Sequence, residues 1–316
     1  MFSIKGPLFY CFWSPQTIVI LRITYKSESL MVNKVSLKPA LILQITRNSI
    51  RLLTLISPFL AARLVNYLWF KTHRFTEPKR EQKVLQTARW QTLKIENNEI
   101  QLYIWGENNL PTVLLVHGWN GRAAQLGAFA QDLAEQGCRV IGFDAPGHGR
   151  SSANNTNLPA ISRVIKMIVS EYGPFRAGIS HSFGGLCLIH ALTEGAEISK
   201  VVCIASPSTV ERMVIMFAKK LQIQANILDR HMRLLEQQFG LDIWQRFSMP
   251  NMINKLTIPG LIIHDKDDDD VPVIRGEEIA RSWKNSELVV TSGLGHRRIL
   301  GDKAMIKKVT QFIKAA

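Results

Sequence analysis

The chain has 316 residues, 46% of them apolar, with 39 Lys plus Arg against 25 Asp plus Glu and a formal net charge of +14. That length and apolar content exclude an intrinsically disordered chain and allow a sizeable core. The charge is uneven: residues 1–90 hold 14 Lys or Arg and three Glu, a net of +11, which leaves +3 for the rest. No recognition motif accompanies the basicity, so nucleic acid is not expected as a partner. Cys11, Cys138, Cys187 and Cys203 are widely spaced, without a Cys-x-x-Cys pair or a zinc-type Cys/His cluster. Free thiols in a cytoplasmic setting are expected, with no metal and no cofactor.

Residues 1–83 read as a basic, apolar and helical extension. Its first 21 residues place Lys5 before Phe9, Phe12, Trp13, Ile18 and Ile20, but Pro15 and Gln16 interrupt the stretch and no small-x-small cleavage site follows, so a secretory leader is disfavoured. Met31 is an alternative start. Leu52–Phe70 has a bilayer-spanning length but contains Pro58, Arg63 and Asn66, which disfavours a span. Ser57-Pro58 reads as an N-cap with Pro at the first helical position, giving a helix at roughly 58–71. A helix before it would carry Arg47, Arg51 and Thr54 opposite Ile50, Leu53 and Ile56. Residues 41–71 are therefore the candidate for peripheral association with the inner membrane; the alternative is that their apolar face packs on the catalytic domain. Thr72–Lys83 reads as an exposed connector.

After Arg89 the pattern becomes that of strands. Trp90–Ile95 and Ile100–Trp105 flank a polar turn and predict a hairpin. Apolar runs suited to buried parallel strands follow at Thr112–Val116, Arg139–Phe143, Arg176–Ser180, Val201–Ala205, Gly260–Ile263 and Leu288–Val290. Ala123–Gln136, Leu158–Tyr172 and Gly184–Gly195 have helical periodicity between them. The fold class is α/β: a doubly wound, mostly parallel sheet with an antiparallel start.

The strand ending at Ser180 runs into Ser180-His181-Ser182-Phe183-Gly184-Gly185 and then an apolar helix. A serine on so sharp a strand-to-helix turn is held with its hydroxyl exposed above the helix N-terminus, and small residues two positions either side permit the turn. Ser182 is the candidate nucleophile, with Ser180 where glycine is usual.

Through this motif residues 90–316 resemble the α/β-hydrolase superfamily, and more closely its bacterial serine esterases and lipases. The resemblance implies an α/β-hydrolase core at 84–206 and 256–316. His117-Gly118-Trp119-Asn120-Gly121 then falls where the backbone N–H of Trp119 serves as one oxyanion donor, with that of Phe183 as the other. Asp144-Ala145-Pro146-Gly147-His148-Gly149-Arg150-Ser151 matches a structural turn of the family. In Ile263-His264-Asp265-Lys266-Asp267-Asp268-Asp269-Asp270-Val271-Pro272 the family register puts the triad acid at Asp268, with Asp267 as runner-up. His296, in Ser292-Gly293-Leu294-Gly295-His296, follows the last strand as general base, completing the order Ser, Asp, His.

Residues 207–255 exceed a simple crossover and are rich in apolar residues, which predicts a helical cap. Trp119, His181, Met213, Met216 and Phe217 are the candidates for lining a substrate pocket. The implied activity is hydrolysis of small-molecule carboxylic esters of short to medium acyl chain through an acyl-enzyme. The alternatives are a thioesterase, lysophospholipase or other acyl hydrolase at the membrane, and a catalytically silent binding protein of this fold.

Overall fold

The computed structural model describes residues 9–12, 19–26, 29–36 and 39–315. Most of the leader-like stretch 1–21 lies outside the described residues, as do Pro15 and Gln16. Strands β1 (Phe9–Phe12), β2 (Val19–Lys26) and β3 (Ser29–Ser36) form an antiparallel sheet. Helices α1 (Pro39–Ile56) and α2 (Pro58–Phe70) follow, divided at Ser57. Pro58 has no N–H to bond back into α1, so it opens α2 instead, while Ser57 Oγ accepts the Leu60 N–H at 3.4 Å. No helix among the described residues is long and apolar enough to cross a membrane.

Helix α3 (Lys79–Gln86) leads into the hairpin of β4 (Arg89–Ile95) and β5 (Asn98–Trp105). The turn is tighter than expected. Glu96 takes a left-handed φ of 52°, so Ile95 pairs directly with Asn98. The chain continues through β6 (Thr112–Val116), α4 (Gly127–Glu135), β7 (Arg139–Phe143), α5 (Leu158–Tyr172), β8 (Phe175–His181), α6 (Phe183–Thr193) and β9 (Val201–Ile204). Helices α7 (Val210–Leu221), α8 (Ala225–Phe239), α9 (Ile243–Arg246) and α10 (Met249–Ile253) fill the long insertion. It ends in β10 (Gly260–Asp265), α11 (Ile274–Ser282), β11 (Ser286–Thr291), α12 (Gly295–Arg298) and α13 (Lys303–Lys314).

The main sheet has the order β11-β10-β9-β8-β6-β7-β5-β4, with the β4–β5 and β5–β7 pairs antiparallel and the other neighbours parallel. All five residues of β6 and all six of β10 are buried, as strands covered by helices on both faces must be. The direction of winding reverses between β6 and β8. A crevice therefore opens at their carboxyl ends, the usual place for a ligand in a sheet of this kind. Cys138, Cys187 and Cys203 are buried free thiols in this core.

The chain divides into two compact units, one of Phe70–Val214 with Glu236–Ala316, the other pairing the residues up to Trp69 with Ile215–Leu235. In the second unit Ile50, Ala61, Ala62, Val65 and Leu68 pack with Leu221 and Ile227, and Trp69 meets Phe217 edge-on at 5.3 Å. The apolar face of α1 thus packs on part of the insertion. Ile56 does not share that face with Ile50 and Leu53 but is exposed. Arg47 donates to the Lys220 carbonyl from Nη2 at 2.7 Å and from Nε at 3.2 Å. That carbonyl lies in the last turn of α7, where helix oxygens lack intrahelical partners and the helix dipole favours a cation. Arg51 donates to Gln222 Oε1 at 2.6 Å.

The segment expected to be an exposed connector is strapped into the unit of Phe70–Val214 with Glu236–Ala316 instead. Arg74 donates to the carbonyls of Gly149, Ser151 and Ala153, and Glu81 pairs with Arg122 at 2.5 Å with both side chains buried. A buried carboxylate needs such a partner, because desolvation alone would make its charge prohibitive.

Candidate active site

Ser182 lies between β8 and α6 with φ 52° and ψ −128°, a region that costs a non-glycine residue about 1–3 kcal/mol and persists only where the surroundings impose it. They do so here at close range. The Ser182 N–H donates to the Ile204 carbonyl at 2.9 Å, and its own carbonyl accepts from the Gly185 N–H at 3.0 Å. A Cβ on Gly184 would stand 2.5 Å from the carbonyl oxygens of Val116 and His117, so only glycine lets α6 start this close to β6. Ser180, where glycine is usual, is accommodated by turning its hydroxyl toward β9, donating to the Val202 carbonyl at 2.9 Å.

The loop after β6 is held against the elbow. His117 Nε2 accepts the Ala145 N–H at 2.9 Å, which leaves its proton on Nδ1, donated to the Gly118 carbonyl at 2.7 Å. Burial lowers the His117 pKa, so the ring stays neutral and this pattern stays fixed. A Cβ on Gly118 would stand 2.8 Å from Ser182 Cβ, showing how closely this loop passes the nucleophile. The Trp119 and Phe183 rings then meet edge-on at 5.4 Å. The two residues named as backbone donors are thus neighbours, one after β6 and one in the first turn of α6, where backbone N–H groups have no intrahelical acceptor.

The loops after β10 and β11 supply the remaining groups. Asp268 Oδ2 lies 2.7 Å from His296 Nδ1, and its Oδ1 accepts the N–H groups of Asp270 at 2.9 Å and Val271 at 2.7 Å. Burial alone would raise the Asp268 pKa, but the neighbouring imidazoles and the Val271 N–H outweigh it and hold the carboxyl well below the usual range. His264 contributes less directly than His296. It lies 3.5 Å from Asp268 Oδ2 and points its Nε2 proton at the Val271 carbonyl, 2.8 Å away. With Nδ1–H of His296 directed at the carboxylate, its Nε2 keeps a free lone pair.

The other acids of that loop serve its shape. Asp267 accepts the Gly293 N–H at 2.6 Å, and Asp265 accepts from Thr291 Oγ1 at 2.6 Å and from the Leu294 N–H at 3.1 Å. Both tie down the segment that carries His296. Sequence reading had given them no such work, although an acid-rich loop opposite a Gly-flanked loop was the available signal. His181, a pocket candidate, is 5% exposed and directs Nε2 at the His296 carbonyl, 2.9 Å away, with the two rings 4.7 Å apart. It links the nucleophile turn to the base. Trp119 is half-buried, its ring edge-on to His148 and Phe183. Phe217 packs on Trp69 in the other compact unit, which also holds Met216, while Met213 belongs to the hydrolase unit.

A strained serine above a helix N-terminus, an imidazole oriented by a buried carboxylate, and paired loops at the winding reversal are groups of the kind that acyl transfer uses. A model of the alpha/beta hydrolase family matches residues 113–304, more than half of the chain, and the chain belongs to that family. The Probable protein phosphatase methylesterase 1 of Caenorhabditis elegans is 30% identical over 125 residues, 37% of this chain and 34% of that protein, so the match spans about a third of the relative's length. The esterase RhEst1 from Rhodococcus sp. ECU1013 superposes with a TM-score of 0.55 at 19% identity, over 72% of this chain and 99% of its own. A membrane phospholipase A, described as a novel bacterial virulence factor, superposes with a TM-score of 0.58 at 16% identity, over 88% of this chain and 98% of its own. At such identities the likeness to solved structures is one of fold.

Proposed function

We propose that the protein is a serine hydrolase that cleaves carboxylic esters of short to medium acyl chain through an acyl-enzyme. The observation that carries this reading is the 2.7 Å contact of His296 Nδ1 with Asp268, beside a nucleophile elbow to which His181 joins the same loop. A serine hydroxyl is a weak nucleophile at neutral pH, so it needs a base at Nε2 of an imidazole oriented in this way. Ser182 Oγ attacks the acyl carbon as His296 takes its proton, and Asp268 stabilises the resulting imidazolium. The N–H groups of Trp119 and Phe183 hold the oxyanion, each such donor contributing about 3 to 4 kcal/mol to the transition state. His296 then returns the proton to the leaving alcohol, and water, activated by the same base, releases the acid and frees Ser182.

Hydrolysis of p-nitrophenyl esters of graded chain length, with Ser182→Ala as control, tests the reading. A fluorophosphonate probe should label wild type on Ser182 and leave the variant unlabelled. Equal turnover by the variant, or no turnover of any acyl substrate, would overturn it.

A further inference from the structure

The extension does more than pack on the insertion: α1 has a second apolar face, turned to solvent. Leu41, Ile45, Leu52 and Ile56 fall within about 60° of one another at about 100° per residue. All four are exposed, and Leu55 on the rim of this face is 82% exposed. Across the Ser57 break the stripe continues into α2 through Phe59 and Leu60, both about half exposed. Six or more large apolar side chains in one stretch of two consecutive helices are not the scattered exposure that ordinary surfaces carry.

The charges around this stripe select what can cover it. From residue 39 to 71 there is no Asp or Glu, whereas Arg47, Arg51, Arg63 and Lys71 are present. Arg51 and then Arg47 follow the stripe round one flank of α1. The bond from Arg47 to the Lys220 carbonyl sets Lys219 and Lys220, both exposed, beside them. Arg63 stands 5.4 Å from the Phe59 ring centroid, so a cation also borders the stripe on α2. Among the described residues of this compact unit Asp229 is the lone acid, and it is paired with Arg233. A second copy of the chain would bring the same uncompensated positive charge against itself. An anionic lipid interface would instead take the apolar side chains below its headgroups and neutralise the basic flank.

We infer that α1 and α2 form a docking surface for anionic phospholipid bilayers, with Leu41, Ile45, Leu52, Leu55, Ile56 and Phe59 inserted and Arg47, Arg51, Arg63, Lys219 and Lys220 at headgroup level. The helices lie in the interface and do not span it. This goes beyond the ester-hydrolase reading and is independent of it.

The test is sedimentation of the full chain with vesicles of phosphatidylcholine mixed with phosphatidylglycerol, and with vesicles of phosphatidylcholine alone. Wild type and Ser182→Ala should bind the mixed vesicles alike, at least about tenfold more tightly than the neutral ones and less tightly as salt is raised. The triple variant Leu52→Glu/Leu55→Glu/Ile56→Glu, altered only at side chains already in water, should bind at least about a hundredfold more weakly while hydrolysing a soluble ester as wild type does. Should that variant misfold by circular dichroism, Leu55→Glu alone should still weaken binding about tenfold. Equal binding to both vesicle types, undiminished binding by the folded variants, or no binding by wild type overturns the proposal. So does a wild-type dimer in sedimentation velocity that the triple variant dissociates.

Discussion

The His181 side chain lies with Nε2 2.9 Å from the main-chain carbonyl of His296, so the residue immediately before Ser182, the proposed nucleophile, holds the backbone of the residue proposed to deprotonate it. A carbonyl only accepts, which puts the His181 proton on Nε2. Burial, with the His296 ring as a second influence, lowers its pKa to about 3, so the ring is a neutral donor at neutral pH.

Replacing that donor should be felt in catalysis before binding. His181→Ala is expected to lower kcat for a p-nitrophenyl ester about tenfold or more with KM changed little, since a buried bond worth about 1–2 kcal/mol positions the base. His181→Gln, which keeps an N–H of similar reach, should recover part of the loss. A kcat equal to wild type in His181→Ala would show that the bond does not position His296.

The two adjacent acids separate by role. Asp268→Asn should cut kcat by about a thousandfold or more, because the amide favours the wrong imidazole tautomer. Asp267→Asn alters the acceptor of the Gly293 N–H and should cost about 1 kcal/mol of stability with little change in kcat. Steady-state kinetics beside thermal melts distinguish the two, and a reversed pattern would move the triad acid to Asp267.

Breaking the strap at Glu81 should destabilise the hydrolase unit. Glu81→Ala leaves the buried Arg122 guanidinium, among the described residues, with the Phe75 carbonyl, 3.1 Å away, as its remaining hydrogen-bond partner, at a cost of about 3 kcal/mol or more. Removing both charges in Glu81→Leu/Arg122→Met should recover most of that. Urea titration of the single and double variants reads the difference.

Stability should fall with acidity well above the range in which carboxylates titrate. Burial holds His148 and His181 at about 3 and His231 at about 4, whereas in the unfolded chain each takes a proton near 6.5. Below about pH 6.5 the unfolded state therefore binds more protons than the folded one, and stability declines as pH falls, by about 2 kcal/mol for each such group at about pH 5. Asp268 acts in the same direction at lower pH, since its depressed pKa stabilises the fold above the unfolded carboxyl value and that contribution fades as pH drops below it. A melting temperature that is flat between about pH 7 and 5 would contradict the assignment of neutral buried histidines.

The parts of the site that sit within a few consecutive residues were readable in advance. The elbow is one, because Ser182, Gly184 and the flanking strand and helix are contiguous and sterics leave few alternatives. The helix break at Ser57-Pro58 is another. Choosing among Asp267, Asp268 and their neighbours needs a family register, since four consecutive carboxylates look alike until the loop geometry gives Asp267 the Gly293 N–H and Asp268 the His296 imidazole. The strap at Arg74 and Glu81 reads as exposed from sequence because its charge suggests water, while its partners lie 41 to 79 positions away in sequence. Pairing Arg47 with the Lys220 carbonyl across 173 positions had no local signal at all.

That last pairing has a consequence for anyone who would recombine this protein. Ile50, Ala61, Ala62, Val65 and Leu68 come from before the hydrolase domain, and Leu221 and Ile227 from within its insertion, yet they share one interior. The two stretches form a single exchangeable module encoded in two pieces. A chimera that imports a foreign residue 215–235 segment without its matching 39–69 segment would expose that interior to water and leave the end of α7 without Arg47, whereas importing both together transfers a self-consistent module.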